Sequence, residues 1–298
     1  MQSFVIISDT SCGLEKEFRE KYGIEYVNMY YCFDQKTIPA TIDYEEVSAK
    51  EFYDMMRAGK RITTAQITAT DYREAFEKAL ANGQDVLSLS TPEVISNSVN
   101  VSRLVRDELL KKYPERKIYC IDALNSCYGL GMLVLKAAML REEGKDIDEV
   151  VKWVQDNALN IHQVGSVESL EYLKRAGRVS SVKAFFGGLL NVKPIIISDV
   201  KGRNAVIGKV KGRKVSIDKC IELFKQDYVA GVIDYVFISH ADCYEEAQYI
   251  KQEIEKFVSP EVTVHIGYVV SPIGASVGPG MFGIYYYGEK VTYNAESK

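Results

Sequence analysis

The stretch LSLSTPEVISNS, residues 87–98, decides how the chain is read. An apolar run flows into hydroxyl and amide side chains and then into a segment with helical periodicity, Ser96 to Leu110. A strand that opens onto a helix start is a ready anion site. The first helical N–H groups have no partner within the helix, and the macrodipole favours negative charge there. Ser90, Thr91, Ser96, Asn97 and Ser98 are all neutral donors, which suits an anion of low charge; a polyphosphate recruits Lys or Arg as well. Read locally, the plainer role for Ser96 and Asn97 is to cap the helix.

Working outward, the same strand-to-helix alternation recurs. Phe4 to Ile7 reads as a buried strand that breaks at SDTSCG, Lys117 to Asp122 as another strand, and Ser126 to Glu143 as a helix. Ser48 followed by Glu51 forms a capping box for a helix that ends near Gly59. This alternation predicts a doubly wound parallel-sheet α/β domain over residues 1–160, with a small β excursion near 25–45. After residue 160 the pattern changes. Val192 to Ser198 and Asn204 to Val210 flank a DVKG turn, and helices at 217–228 and 242–256 alternate with strands at 235–239, 262–269 and 283–287. Phe185 to Leu190 is a further apolar run. Residues 161–298 therefore read as a two-layer α/β domain with a mixed sheet.

Composition narrows the function. A length of 298 residues suits two domains, and a net charge of −4 lacks the basic face that a nucleic-acid binder needs. No run reaches the length of a membrane span, and MQSFVIISDT has no basic region or cleavage site of a signal peptide. The six cysteines, 12, 32, 120, 127, 220 and 243, have no CxxC or zinc-like spacing. Scattered free thiols suit a reducing cytoplasm. Cys12 reads as a small structural residue, and so do the separated histidines His162, His240 and His265.

Three loops rich in hydroxyls or glycine remain: Thr63 to Thr70, Ser90 to Ser98, and Gly274 to Gly280. The GASVG at 274–278 matches a nucleophile elbow, but no Asp or His follows Ser276 to complete a triad. Asp9 lies at the carboxyl end of the first strand, where doubly wound folds bind ligands, or else caps the next helix. Arg175 and Arg178 read as surface charges. Lys209, Lys211, Arg213 and Lys214 read as a solvated strand and turn able to dock an acidic partner. No loop carries an acid, base and nucleophile set, which favours binding over catalysis.

In order along the chain, these segments resemble the DegV family, bacterial proteins that bind a fatty acid. SDTSCGL (8–14) resembles its Asp-Ser-Thr-type loop, and Thr64-Ala-Gln-Ile-Thr68 its Thr-Ser-Gln-Pro-Ser motif, with Ile67 for the proline. Ser96-Asn97-Ser98 stands at its Ser-Gly-Thr helix start, and IDALNSCYGLG (121–131) matches the next strand and helix. LEYLKRAGRVS (170–180), LLNVKPII, DVKGR, KVKGRK and VGPGMFG follow in family order. Two features depart from the pattern: Pro92 to Ile95 holds about two extra residues, and Gly274-Ala275-Ser276 replaces a Gly-Thr-His.

The resemblance implies a bound long-chain fatty acid and no other cofactor or metal. Thr64, Ser96 and Asn97 would contact its carboxylate. Thr63, Asp9, Ser11 and Ser276 would form a supporting shell, and Arg175, Arg178, Lys211 and Arg213 would close the pocket or face a partner. It further implies a non-catalytic cytoplasmic protein of phospholipid metabolism that presents the carboxylate to a separate fatty acid kinase subunit. Two alternatives stay open: an enzyme using Asp9 and the hydroxyl cluster on a phosphorylated small molecule, and a lipid-responsive regulatory protein acting through the basic run 209–214.

Overall fold

A computed structural model describes residues 3–179 and 191–297. The apolar run Phe185 to Leu190 and the final serine of LEYLKRAGRVS lie outside the described residues. The chain opens with β1 (Phe4–Asp9), α1 (Lys16–Tyr22), β2 (Ile24–Val27), β3 (Met29–Phe33), β4 (Lys36–Ala40) and α2 (Ala49–Arg57). It continues with β5 (Thr63–Ala65), α3 (Ala69–Ala81), β6 (Asp85–Ser90), α4 (Ser98–Lys112) and β7 (Ile118–Asp122). Strands β2-β1-β6-β7 form a parallel sheet. Both faces of the sheet are apolar: Val5, Ile7 and Val86 pack on α3 and α4, whereas Phe4, Ile6, Leu87 and Leu89 face the opposite side. This is the doubly wound arrangement that the alternation predicts.

Two long helices follow, α5 (Tyr128–Glu142) and α6 (Ile147–Asn157). The second half comprises β8 (Ile161–Ser166), α7 (Glu171–Ala176), β9 (Val192–Ser198), β10 (Asn204–Lys211) and α8 (Arg213–Asp227). After these come β11 (Tyr235–His240), α9 (Tyr244–Glu255), β12 (Thr263–Tyr268), α10 (Ser271–Val277) and β13 (Phe282–Tyr287). Its six strands, ordered β10-β9-β8-β13-β11-β12, form a mixed sheet in which only β11 and β12 pair in parallel. One face carries α8 and α9.

The other face of the mixed sheet meets α5. All residues of that helix except Lys136, Met139 and Glu142 are buried, so it is packed on most of its circumference. Its residues share one core with β1, β6 and α6 and, across the chain, with Phe237 and Tyr285 of the mixed sheet. Tyr128 stacks on Phe237 with ring centroids 4.7 Å apart. Close approach at the start of α5 is possible because of Gly131: a Cβ there would sit 2.5 Å from the Cys12 carbonyl oxygen.

The β excursion is its own antiparallel sheet, β4-β3-β5, while β2 joins the parallel sheet. The Thr-rich segment 63–70 is not a continuous loop: β5 occupies its first part, and Thr68 with Asp71 forms a capping box for α3. The segment 274–280 is likewise not a free glycine loop. Pro272, whose fixed φ suits a first turn, starts α10, and Gly278 with φ +79° ends it. Helix α8 begins at Arg213, directly after Gly212 with φ +98°, so half of the basic run 209–214 is helical. Cys12 is buried, and burial pushes its thiol up to about 12, consistent with a packing role.

Two outcomes follow from this packing. Gly to Ala within a helix ordinarily stabilises by about 1 kcal/mol, but in Gly131→Ala the clash reverses the sign. We expect denaturant unfolding to report a loss of about 1–3 kcal/mol. His240 is buried, its Nδ1 accepts from the Cys243 N–H at 3.3 Å, and burial pushes the imidazole down to about 4. The unfolded chain binds that proton near pH 6.5, so stability is intact above this value and falls as pH drops toward 4. The loss is about 3 kcal/mol in all, and His240→Gln should flatten that limb of the stability profile.

Candidate functional site

The carboxyl ends of β1 and β6, the start of α5 and the face of the mixed sheet around β8 and β9 enclose a cavity of ≈ 340 Å³. Cavities of this order hold small organic ligands. Its lining mixes polar and apolar side chains. Hydroxyls and amides come from Ser11, Thr64, Thr91, Ser96, Asn97 and Ser276. Apolar walls come from Met29, Val167, Leu173, Ile196, Ile273 and Met281.

Each polar group is placed by its backbone. Thr64 is the central residue of β5, paired with Tyr31 of β3, so its side chain turns toward the cavity. Thr63, one residue earlier, is exposed and lines a smaller outer depression together with Arg61 and Arg175. Thr64, Arg178 and Ser276 line both spaces and so stand between them. Arg178 is held there by its Nε–H donating to the Ile95 carbonyl at 3.3 Å and by Asn204, whose amide donates to the Arg178 carbonyl at 3.0 Å.

Helix α4 begins two residues later than its periodicity suggests, leaving Ser96 ahead of it and Asn97 at the cap position. Asn97 makes no side-chain cap bond; its Oδ1 instead accepts from the Asn100 amide at 3.1 Å. Ser98 Oγ accepts the Ile67 N–H at 3.5 Å and lies 3.0 Å from Ser96 Oγ. With Ser98 as donor in that pair, the Ser96 proton is free for a ligand, and it lies at the positive end of a fifteen-residue helix.

Asp9 does not line the cavity. It is fully buried behind it, with Oδ2 accepting the Thr91 N–H at 2.8 Å and Oδ1 accepting the Ser11 N–H at 2.8 Å. The Ser11 hydroxyl also donates to Oδ1 and contacts the Thr91 hydroxyl. Burial pushes the Asp9 carboxyl up, and the hydrogen bonds from Ser11 and Thr91 pull against that shift. Lys211 is exposed at the end of β10, outside the cavity. Arg213 does not reach the cavity either: its guanidinium pairs with Glu246 at 2.5 Å, donates to the Gly280 carbonyl at 2.6 Å and covers the Phe282 ring.

Several lining residues carried no signal in the sequence. Ser126, Gln163 and Tyr285 sit in ordinary strand or loop contexts and reach the cavity only through the tertiary fold. The IDALNSCYGLG motif offered a clue for Ser126, because it opens a helix at a strand's carboxyl end. Among the described residues no group of three His, Cys, Asp or Glu is placed to hold a metal ion, and no helix is long and apolar enough to cross a membrane.

These features define an α/β protein with an amphipathic cavity between a parallel and a mixed sheet. The chain belongs to the DegV family, whose model it matches over residues 3–289. It is 33% identical over 290 residues to a DegV domain-containing protein of Clostridium perfringens, covering 97% of this chain and 99% of that one. A solved DegV family protein from Thermus thermophilus, described for its fatty acid binding, is 25% identical with TM-score 0.86 and coverage of 96% and 99%. DegV of Bacillus subtilis, described as a fatty acid binding protein, is 26% identical with TM-score 0.82 and coverage of 97% and 100%.

The Asp9 network carries a stability prediction. In Asp9→Ala the Ser11 and Thr91 N–H groups are left buried and unpaired, at about 1–3 kcal/mol each. Thermal or urea unfolding should show a loss of roughly 2–6 kcal/mol, whereas Lys211→Ala, on the surface, should change stability by less than about 0.5 kcal/mol.

Proposed function

We propose that this protein binds a long-chain fatty acid, with the acyl tail in the cavity and the carboxylate at Thr64, Ser96, Asn97 and Ser276. The observation that carries this reading is a cavity lined by hydroxyls together with apolar side chains, in a chain that shares its fold with fatty-acid-binding DegV proteins. Each buried methylene contributes about 0.8 kcal/mol, so a tail of roughly fifteen contributes on the order of 12 kcal/mol before ordering costs. A helix terminus offers an anion at most about 2 kcal/mol. The tail dominates affinity, and the hydroxyls set which end is presented.

Presentation is toward the outer depression, where Arg61 and Arg175 stand beside Thr64, Arg178 and Ser276. A cationic rim beside a carboxylate suits delivery to a cytoplasmic partner that phosphorylates it, such as a fatty acid kinase subunit. The chain itself is then a carrier in phospholipid metabolism rather than the catalyst. Asp9 supports the carrier over an enzyme acting on a phosphorylated small molecule: both of its oxygens are occupied by N–H groups behind the cavity wall. Lys211 and Arg213, lying away from the cavity, lend no support to a lipid-sensing role for the basic run.

Denaturing mass spectrometry of the purified protein should release a long-chain acid. A clean apo protein that also fails to bind hexadecanoic or octadecenoic acid would falsify the proposal. Thr64→Ala and Ser96→Ala should each weaken binding about tenfold, the worth of one hydrogen bond to a charged group.

A further inference from the structure

We infer that the Ser11 and Thr91 wall of the cavity is a second polar subsite, built to accept a hydrogen bond, and that the ligand it selects is a hydroxy fatty acid carrying its hydroxyl along the chain. The inference rests on the cavity holding a fatty acid and names the kind of acid.

The direction of the protons decides it. Asp9 is fully buried, and its partners, the Ser11 N–H, the Thr91 N–H and the Ser11 O–H, are all donors. A carboxylate is acceptor-only, and a serine has one proton to give. With Asp9 ionised, the Ser11 proton is committed to it, and the Thr91 proton turns inward as well, to the Ser11 oxygen or to Asp9 itself. Both hydroxyl protons run inward toward the anion. The two oxygens, which line the cavity, present only lone pairs to it.

Such a wall repels a carboxylate twice over, through its exposed lone pairs and through the negative charge behind them. It therefore belongs to the path of the chain, in contrast to Ser96, whose hydroxyl stands at the positive N-terminal end of α4. An alkyl segment passing Thr91 leaves the lone pairs unused. A hydroxyl at that depth satisfies them, whereas a hydroxyl a few carbons away does not reach them. The signature is thus dependence on position along the chain rather than a general liking for polarity.

The test uses delipidated full-length protein and displacement of a fluorescent fatty acid by hexadecanoic acid and its monohydroxy isomers, stepped along the chain. We expect hexadecanoic acid to bind, and one hydroxyl position to bind about tenfold tighter than isomers a few carbons to either side. Thr91→Val, which keeps the side-chain shape and the backbone N–H to Asp9, should lower that ratio, and Thr91→Val with Ser11→Ala, which removes both acceptor oxygens, should bring it close to one. Should the double variant not fold, Ser11→Ala alone removes one of the two acceptors and should lower the ratio as Thr91→Val does. If hexadecanoic acid binds but no hydroxyl position stands out, or the preference is undiminished in the variants, the inference is overturned while the proposed function stands. If no fatty acid binds, the proposed function itself fails.

Discussion

The burial of helix α5 between two sheets is the constraint on which the rest depends. A helix with so wide an apolar surface needs partners on more than one side, and this one has Phe4, Ile6, Leu87 and Leu89 on one and Phe237 and Tyr285 on the other. Gly131 sets how near its first turn comes to the loop after β1. Ser11, from that loop, and Ser126 and Cys127, just ahead of α5, then share the cavity wall. The cavity is the space left where α5 begins and the two sheets no longer touch.

The cavity can then be understood as a gradient of hydrogen-bond character. At Ser96 a hydroxyl stands at the positive N-terminus of α4; at Ser11 and Thr91 the protons turn away toward the buried Asp9. Met29, Leu173, Ile196 and other apolar side chains share the lining with them. Polarity at the wall fixes orientation, while burial of the chain supplies the affinity.

Much of this was legible in the chain itself. The β6 strand and its passage into α4 follow from alternating apolar residues and a cluster of cap formers, and the capping box of α2 stands as Ser48 and Glu51 require. Thr64, Ser96, Asn97, Ser11 and Ser276 do converge on one cavity. What was not legible depended on contacts distant in sequence. Thr63 and Thr64 are adjacent and alike, and only the pairing of β5 with β3 turns one inward and the other out. Arg213 looks like a free surface cation until Glu246 and Gly280 are brought beside it. Asp9 looks like a ligand contact until Ser11 and Thr91 close over it.

The most direct measurement of the central claim is the carbon-13 resonance of hexadecanoic acid labelled at its carboxyl and bound to the protein. A carboxylate held by Thr64, Ser96 and Ser276 should give a single resonance shifted from that of the free acid, displaced further by Thr64→Ala and by Ser96→Ala. It should not follow the titration of a solvent-exposed carboxyl. A bound resonance that titrates like the free acid and is indifferent to both substitutions would contradict the account.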